Sequence, residues 1–102
     1  MGFLRFVMAL ALVLAFAPLA SAQDKAWLQI ESYPSEATAR ARAAAYAGEF
    51  PNVQVFEGGG WFAIALGPYA PEEAAGMLSD LRRAGRVPGD AFVSDGRAYG
   101  EA

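Results

Sequence analysis

The sequence predicts an α+β domain of order β-α-β-β-α-β, a four-stranded antiparallel sheet with two helices packed on one face. Three observations predict it. A unit of about 35 residues is written twice. Short apolar stretches alternate with the period of two that belongs to strands, and alanine-rich stretches between them repeat with the period of about 3.6 that belongs to helices. The first unit opens on Trp27-Leu28-Gln29-Ile30 and the second on Trp61-Phe62-Ala63-Ile64. Each opening leads to a turn holding Pro and Tyr, then to a helix, then to a short apolar run.

The first strand runs from Trp27 to Ile30, with Leu28 and Ile30 pointing one way and Trp27, Gln29 and Glu31 the other. Tyr33-Pro34 turns the chain, and Ser35 is placed to cap the helix that follows. In that helix Ala39, Ala43, Tyr46 and Phe50 fall at i, i+4, i+7 and i+11, a narrow apolar stripe. Arg40, Arg42 and Glu49 lie off the stripe, and Glu36 precedes Arg40 by four residues, a favourable pair. Pro51 stops the chain, and Asn52 to Phe56 forms the second strand. Gly58-Gly59-Gly60 reverses it into the third, Trp61 to Leu66. A phosphate loop is the rival reading of the three glycines, but no helix follows them directly and no lysine stands nearby. Phe62, Ile64 and Leu66 share one face of the third strand; Trp61, Ala63 and Ala65 share the other.

After the Gly67-Pro68-Tyr69 turn, Pro71 sits in the first turn of the second helix, followed by Glu72 and Glu73. Ala74, Leu78 and Leu81 repeat the i, i+4, i+7 spacing, Arg82 and Arg83 complement the dipole of the last turn, and Gly85 ends it. Ala91 to Ser94 is the fourth strand, closed by Asp95-Gly96. This order is that of ferredoxin-like and RNP-like sheets, with Leu28, Ile30, Phe62, Ile64 and Leu66 as the floor for both helices and the other face left uncovered.

On that uncovered face the pattern places Trp27, Gln29 and Trp61, with Phe56 joining them near the hairpin. Aromatic rings lie against the C–H faces of sugars, and neighbouring amides and hydroxyls bond sugar hydroxyls. Trp27 and Trp61 on adjacent central strands could instead pair and contribute stability alone, or some missing segment could cover the face.

Composition narrows the chemistry. The chain has no His and no Cys, which excludes Ser-His-Asp and Cys-His nucleophilic arrangements and zinc sites of the usual ligand types. A pair among Glu31, Glu57, Glu72, Glu73, Asp80, Asp90 and Asp95 could still do acid–base work, but most of these sit at turns or helix ends where a solvated charge is the ordinary explanation. No catalytic residue, metal or cofactor is expected. Arg5, the apolar run Phe6 to Ala17, Pro18 and Ala20-Ser21-Ala22 have the order of a secretory signal, so residues 1–22 are expected to be cleaved, leaving residues 23–102 as the exported domain. No Cys follows for a lipid anchor, and no stable membrane insertion is expected after cleavage. The full chain carries −3, and loss of the +1 of Arg5 leaves −4, a poor charge for nucleic acid or an anionic membrane surface. Export without cysteine suits a bacterial periplasm.

The ordered set Trp27-Leu28-Gln29-Ile30-Glu31-Ser32-Tyr33, Trp61-Phe62-Ala63-Ile64-Ala65-Leu66-Gly67-Pro68-Tyr69, Glu73-Ala74, Leu81-Arg82-Arg83-Ala84-Gly85 and Asp90-Ala91-Phe92-Val93 resembles the SPOR domain family. The likeness spans Trp27 to about Val93. It implies a non-catalytic module that binds peptidoglycan, on glycan strands stripped of stem peptides at remodelled septal wall. Carried over by position, the resemblance makes Gln29 and Ser32 polar contacts and Trp61 the aromatic start of the third strand; with Trp27 and Phe56 they form the expected glycan-binding set. Two positions depart from the family's habit: Glu31 where a small residue is frequent, and Ala63 where a larger polar or basic one is common. The alternative is a secreted protein-interaction domain using the same open face and a protein partner.

Overall fold

The computed structural model describes residues 24–101. The signal expected at residues 1–22 lies outside the described residues. The predicted order is present as β1 (Ala26–Tyr33), α1 (Glu36–Tyr46), β2 (Val53–Gly58), β3 (Trp61–Tyr69), α2 (Pro71–Arg83) and β4 (Phe92–Ser94). One element was not expected, β5 (Gly100–Glu101). The sheet therefore has five antiparallel strands, not four, in the order β4-β1-β3-β2-β5. Without β5 the order is that of the ferredoxin-like arrangement.

Local chemistry explains the helices. Ser35 caps α1, its Oγ accepting from the Thr38 amide at 3.2 Å, and Glu36 pairs with Arg40 at 2.9 Å. The buried stripe of α1 is made only of Ala39 and Ala43, so little side-chain bulk separates it from the sheet, and Phe50 closes its far end from the loop beyond. Pro71 opens α2, which buries Ala74 and Leu78 and ends on Arg82 and Arg83. The core between helices and sheet rests on Leu28, Ile64 and Leu66, all fully buried.

The alternation predicted for β1 breaks at Ile30. Gln29 pairs with Ala65 but Glu31 pairs with Ile64, so Ile30 is an extra residue opposite one position of β3, a β-bulge. Leu28 and Ile30 face the helices as expected, and the bulge returns Glu31 to the same side. Glu31 does not share a face with Trp27 and Gln29. Its carboxylate reaches α1 instead, meeting Arg42 Nη2 at 2.9 Å and Arg42 Nε at 3.2 Å and accepting from the hydroxyls of Tyr33 and Tyr46.

Candidate functional site

The pairing defines which side chains share the face without helices. Trp27, Gln29 and Ser32 come from β1, Trp61, Ala63 and Ala65 from β3, Gln54, Phe56 and Gly58 from β2, and Phe92 and Ser94 from β4. Two alanines in the middle of this face set its shape. Ala65 lies between Gln29 and Gln54, and Ala63 between Ser32 and Phe56. With so little bulk on β3, the rings of Trp27 and Phe56 meet across it, edge to face with centroids 4.8 Å apart. Gly67 belongs to the same design. A β-carbon there would lie 3.1 Å from Trp27 Cε3 and 3.1 Å from the Ala26 carbonyl oxygen, and the backbone adopts φ 139°. The indole sits over a glycine because no side chain fits beneath it.

The face is not left uncovered. Ala63 and Ala65 are buried although no helix lies on their side. The cover is the chain after β4. Residues 95–99 cross from the β4 edge to the far edge, where β5 pairs with β2 through Phe56–Glu101 and Glu57–Gly100. Tyr99 is the centre of this crossing. Its ring stacks on Phe56 with centroids 4.6 Å apart and planes 4° from parallel, and it meets Trp27 edge-on at 6.3 Å. Its hydroxyl donates to Gln29 Oε1 at 2.9 Å. Burial pushes the Tyr99 phenol above its ordinary range.

The expected site residues therefore divide. Trp27, Gln29 and Phe56 are brought together and half-buried under Tyr99. Ser32 is exposed beside them, bordering a shallow groove with Gln29 and Phe92. Trp61 stands apart. It opens β3 opposite Gly58, whereas Trp27 packs by Gly67 near the strand's close, a separation of about 20 Å along the strand. The two tryptophans do not form the cross-strand pair that adjacency of their strands had offered; the aromatic partners of Trp27 are Phe56 and Tyr99. Trp61 is instead 52% exposed.

Two residues of this face were missed. Phe92 pairs with Gln29 and is 48% exposed, and the alternation of Ala91 and Val93 against Phe92 and Ser94 carried that signal. Tyr99 follows the last strand legible in the pattern, in a segment with no periodicity.

Four of the carboxylates considered for acid–base work, Glu31, Glu57, Asp80 and Asp95, have hydrogen-bond or ion-pair partners. The Arg42 guanidinium, against the opposing cost of burial and with the Tyr33 and Tyr46 hydroxyls helping, holds Glu31 down to about 2. It is a carboxylate at any physiological pH and a poor proton carrier. Burial, and then the Glu31 charge, pushes Tyr46 up to about 12. Glu57 accepts the Gly60 amide of the hairpin at 3.1 Å, Asp80 faces Arg83 at 3.6 Å, and Asp95 accepts from the Arg97 amide at 3.0 Å. Among the described residues no group of three or more acidic side chains comes together to hold a metal ion, and no helix is long and apolar enough to cross a membrane.

Both departures from the family pattern have a physical reason in this geometry. Glu31 is turned to the helix side by the bulge, so it does not enter the aromatic face. Ala63 lies under the covered part of that face, where a long side chain would displace Phe56 or the crossing segment. A family model described as SPOR domain matches residues 22–93. No curated protein and no solved structure matches the chain.

Proposed function

The chain belongs to the SPOR domain family, whose members bind peptidoglycan, and on that premise we propose that it is a non-catalytic periplasmic module recognising denuded glycan strands, as found at remodelled septal wall. The face opposite the helices is the proposed contact surface, with Trp27, Gln29, Ser32, Phe56 and Trp61 as its residues and Phe92 added at its β4 edge. One observation carries this reading. A six-membered ring lies flat on Phe56 while its hydroxyl bonds the Gln29 amide oxygen. A pyranose offers the same outline: a flat C–H face for the aromatic ring and hydroxyls for the amide. The N-terminal pattern of Arg5, the apolar run and Ala20-Ser21-Ala22 supports export. The absence of His and Cys from the whole chain, with Glu31 fixed as a carboxylate, supports binding without chemistry.

The test is retention of purified residues 23–102 on sacculi, intact and treated with amidase to remove stem peptides. Retention is expected to rise with peptide removal. No retention on stripped sacculi, under conditions that retain another SPOR domain, would falsify the glycan reading.

A further inference from the structure

We propose that residues 95–101 form an intramolecular strap that closes over the Trp27–Gln29–Phe56 face and competes with the ligand for it, Tyr99 occupying the place of a ligand ring. The inference rests on the glycan reading of that face and adds its regulation. Tyr99 takes up both kinds of group that a sugar would need, the Phe56 ring and the Gln29 oxygen, so ligand and strap cannot hold them together.

Two glycines fit the strap to the face. A β-carbon on Gly96 would fall 2.9 Å from Trp27 Nε1, and φ at Gly96 is 80°, a conformation that side chains rarely adopt. A β-carbon on Gly58 would fall 2.5 Å from the Ala98 carbonyl oxygen. Contact this close at Gly96 and at Ala98, the two residues flanking Arg97 just ahead of Tyr99, marks a surface shaped to receive the segment.

What holds the strap is nonetheless slight. β5 has two residues, both exposed. The turn is closed by a Tyr99 amide to Gly96 carbonyl bond of 3.1 Å and by the Gly96 amide on Ser94 Oγ at 3.1 Å. Its ion pair, Arg97 with Asp95 at 3.4 Å, is solvent-exposed on both sides. Short segments with few buried apolar contacts open at much lower cost than the whole domain. The closed strap then lowers the apparent affinity of the face by the fraction of molecules that are open.

The experiment compares the full chain with Gly58→Ala and Gly96→Ala, neither of which removes a group from the proposed site. Hydrogen exchange of residues 96–101 reports the strap; titration with peptide-free glycan released from sacculi by amidase reports the face. Both variants are expected to lose protection in the strap and to bind roughly 3–10-fold tighter, the factor expected if the strap is closed most of the time. Faster exchange with unchanged or weaker binding overturns competition, since a weaker result makes Tyr99 part of the binding surface. Strap amides still protected in both variants overturn the claim that these glycines seat it. Absence of binding by the full chain and by both opened variants sinks the glycan reading itself, and the competition with it.

Discussion

Against one face of the sheet lie two helices of 11 and 13 residues, and against the other lies a strap of residues 95–101 ending in a two-residue strand. The helix side is sealed by fully buried aliphatic side chains, Leu28, Ile64 and Leu66. The strap side is sealed by a flat aromatic stack, one side-chain hydrogen bond and two close backbone approaches over glycines or their neighbours. Aliphatic interlocking leaves no alternative partner for its surfaces. An aromatic ring on an aromatic ring, with an amide oxygen at its rim, can be exchanged for a ligand that offers the same groups. On the proposed reading, folding is thus placed on one face and recognition on the other.

The sharpest way to break this comparison is to cut each side and see whether the molecule responds globally or locally. Leu66→Ala, on the helix side, is expected to cost about 2–5 kcal/mol, through lost burial and the cavity left behind. Urea unfolding should show the whole domain shifted to a lower midpoint with a single transition. A shift of under about 1 kcal/mol would mean that the helix-side core is not what holds the fold.

The next effect in size belongs to Glu31, which the bulge turns to the helix side. Its carboxylate is held down to about 2 by Arg42 and two tyrosine hydroxyls, against an ordinary value of 4.5. A depressed carboxylate contributes stability that is fully present above its unfolded-state value and is lost as pH falls from about 4.5 through about 2. Glu31→Gln is expected to cost about 1–2 kcal/mol at neutral pH, the half-exposed Arg42 limiting the figure, and to flatten the acid limb of the stability profile. Urea midpoints at pH 7 and pH 3 check both parts. An acid limb as steep in the variant as in the parent would assign the pH dependence to other groups.

These two cases also show what the sequence could reveal. Periodicity located every element that buries apolar residues at a regular spacing. It placed Phe62, Ile64 and Leu66 against the helices and Ala63 and Ala65 on the far side, and the pairing agrees. It put Glu31 on the wrong face because alternation has no way to count an inserted residue; the bulge at Ile30 is fixed by pairing with β3, not by the residues of β1. The strap was invisible for a different reason. Asp95 to Tyr99 is held by a turn and by contact with residues distant in sequence, so no local period marks it. Gly58 and Gly96 were legible only as turn residues, although their second role is to admit a neighbour.

Tyr99→Ala lies further down the scale. It removes one ring from the stack, worth about 0.5–1.5 kcal/mol in such pairs, and frees the Gln29 oxygen. Because the strap opens without the domain, the urea midpoint is expected to move little while hydrogen exchange in residues 96–101 accelerates. A loss as large as that of Leu66→Ala would show that strap and core unfold as one unit and would remove the distinction between the faces.

The smallest expected effect on stability, and the cleanest probe of recognition, is Trp61→Ala. Trp61 lies on the sheet's second face at the hairpin end of β3, opposite Gly58 and so at the border of the strap, yet it is 52% exposed. It has no place in the core and none in the Trp27–Phe56–Tyr99 group. Removing an exposed side chain away from packed features is expected to change stability by less than about 0.5 kcal/mol. The same ring is available to a glycan whether the strap is open or closed. Its loss should therefore weaken binding to peptide-stripped sacculi by roughly 2–10-fold, the energy of one aromatic contact, in the parent and in Gly96→Ala alike. A drop confined to the opened variant would make Trp61 dependent on the strap and extend the covered face along the whole strand. Unfolding by Trp61→Ala would instead return this tryptophan to the structural side of the comparison, leaving ligand contact to Trp27, Gln29 and Phe56.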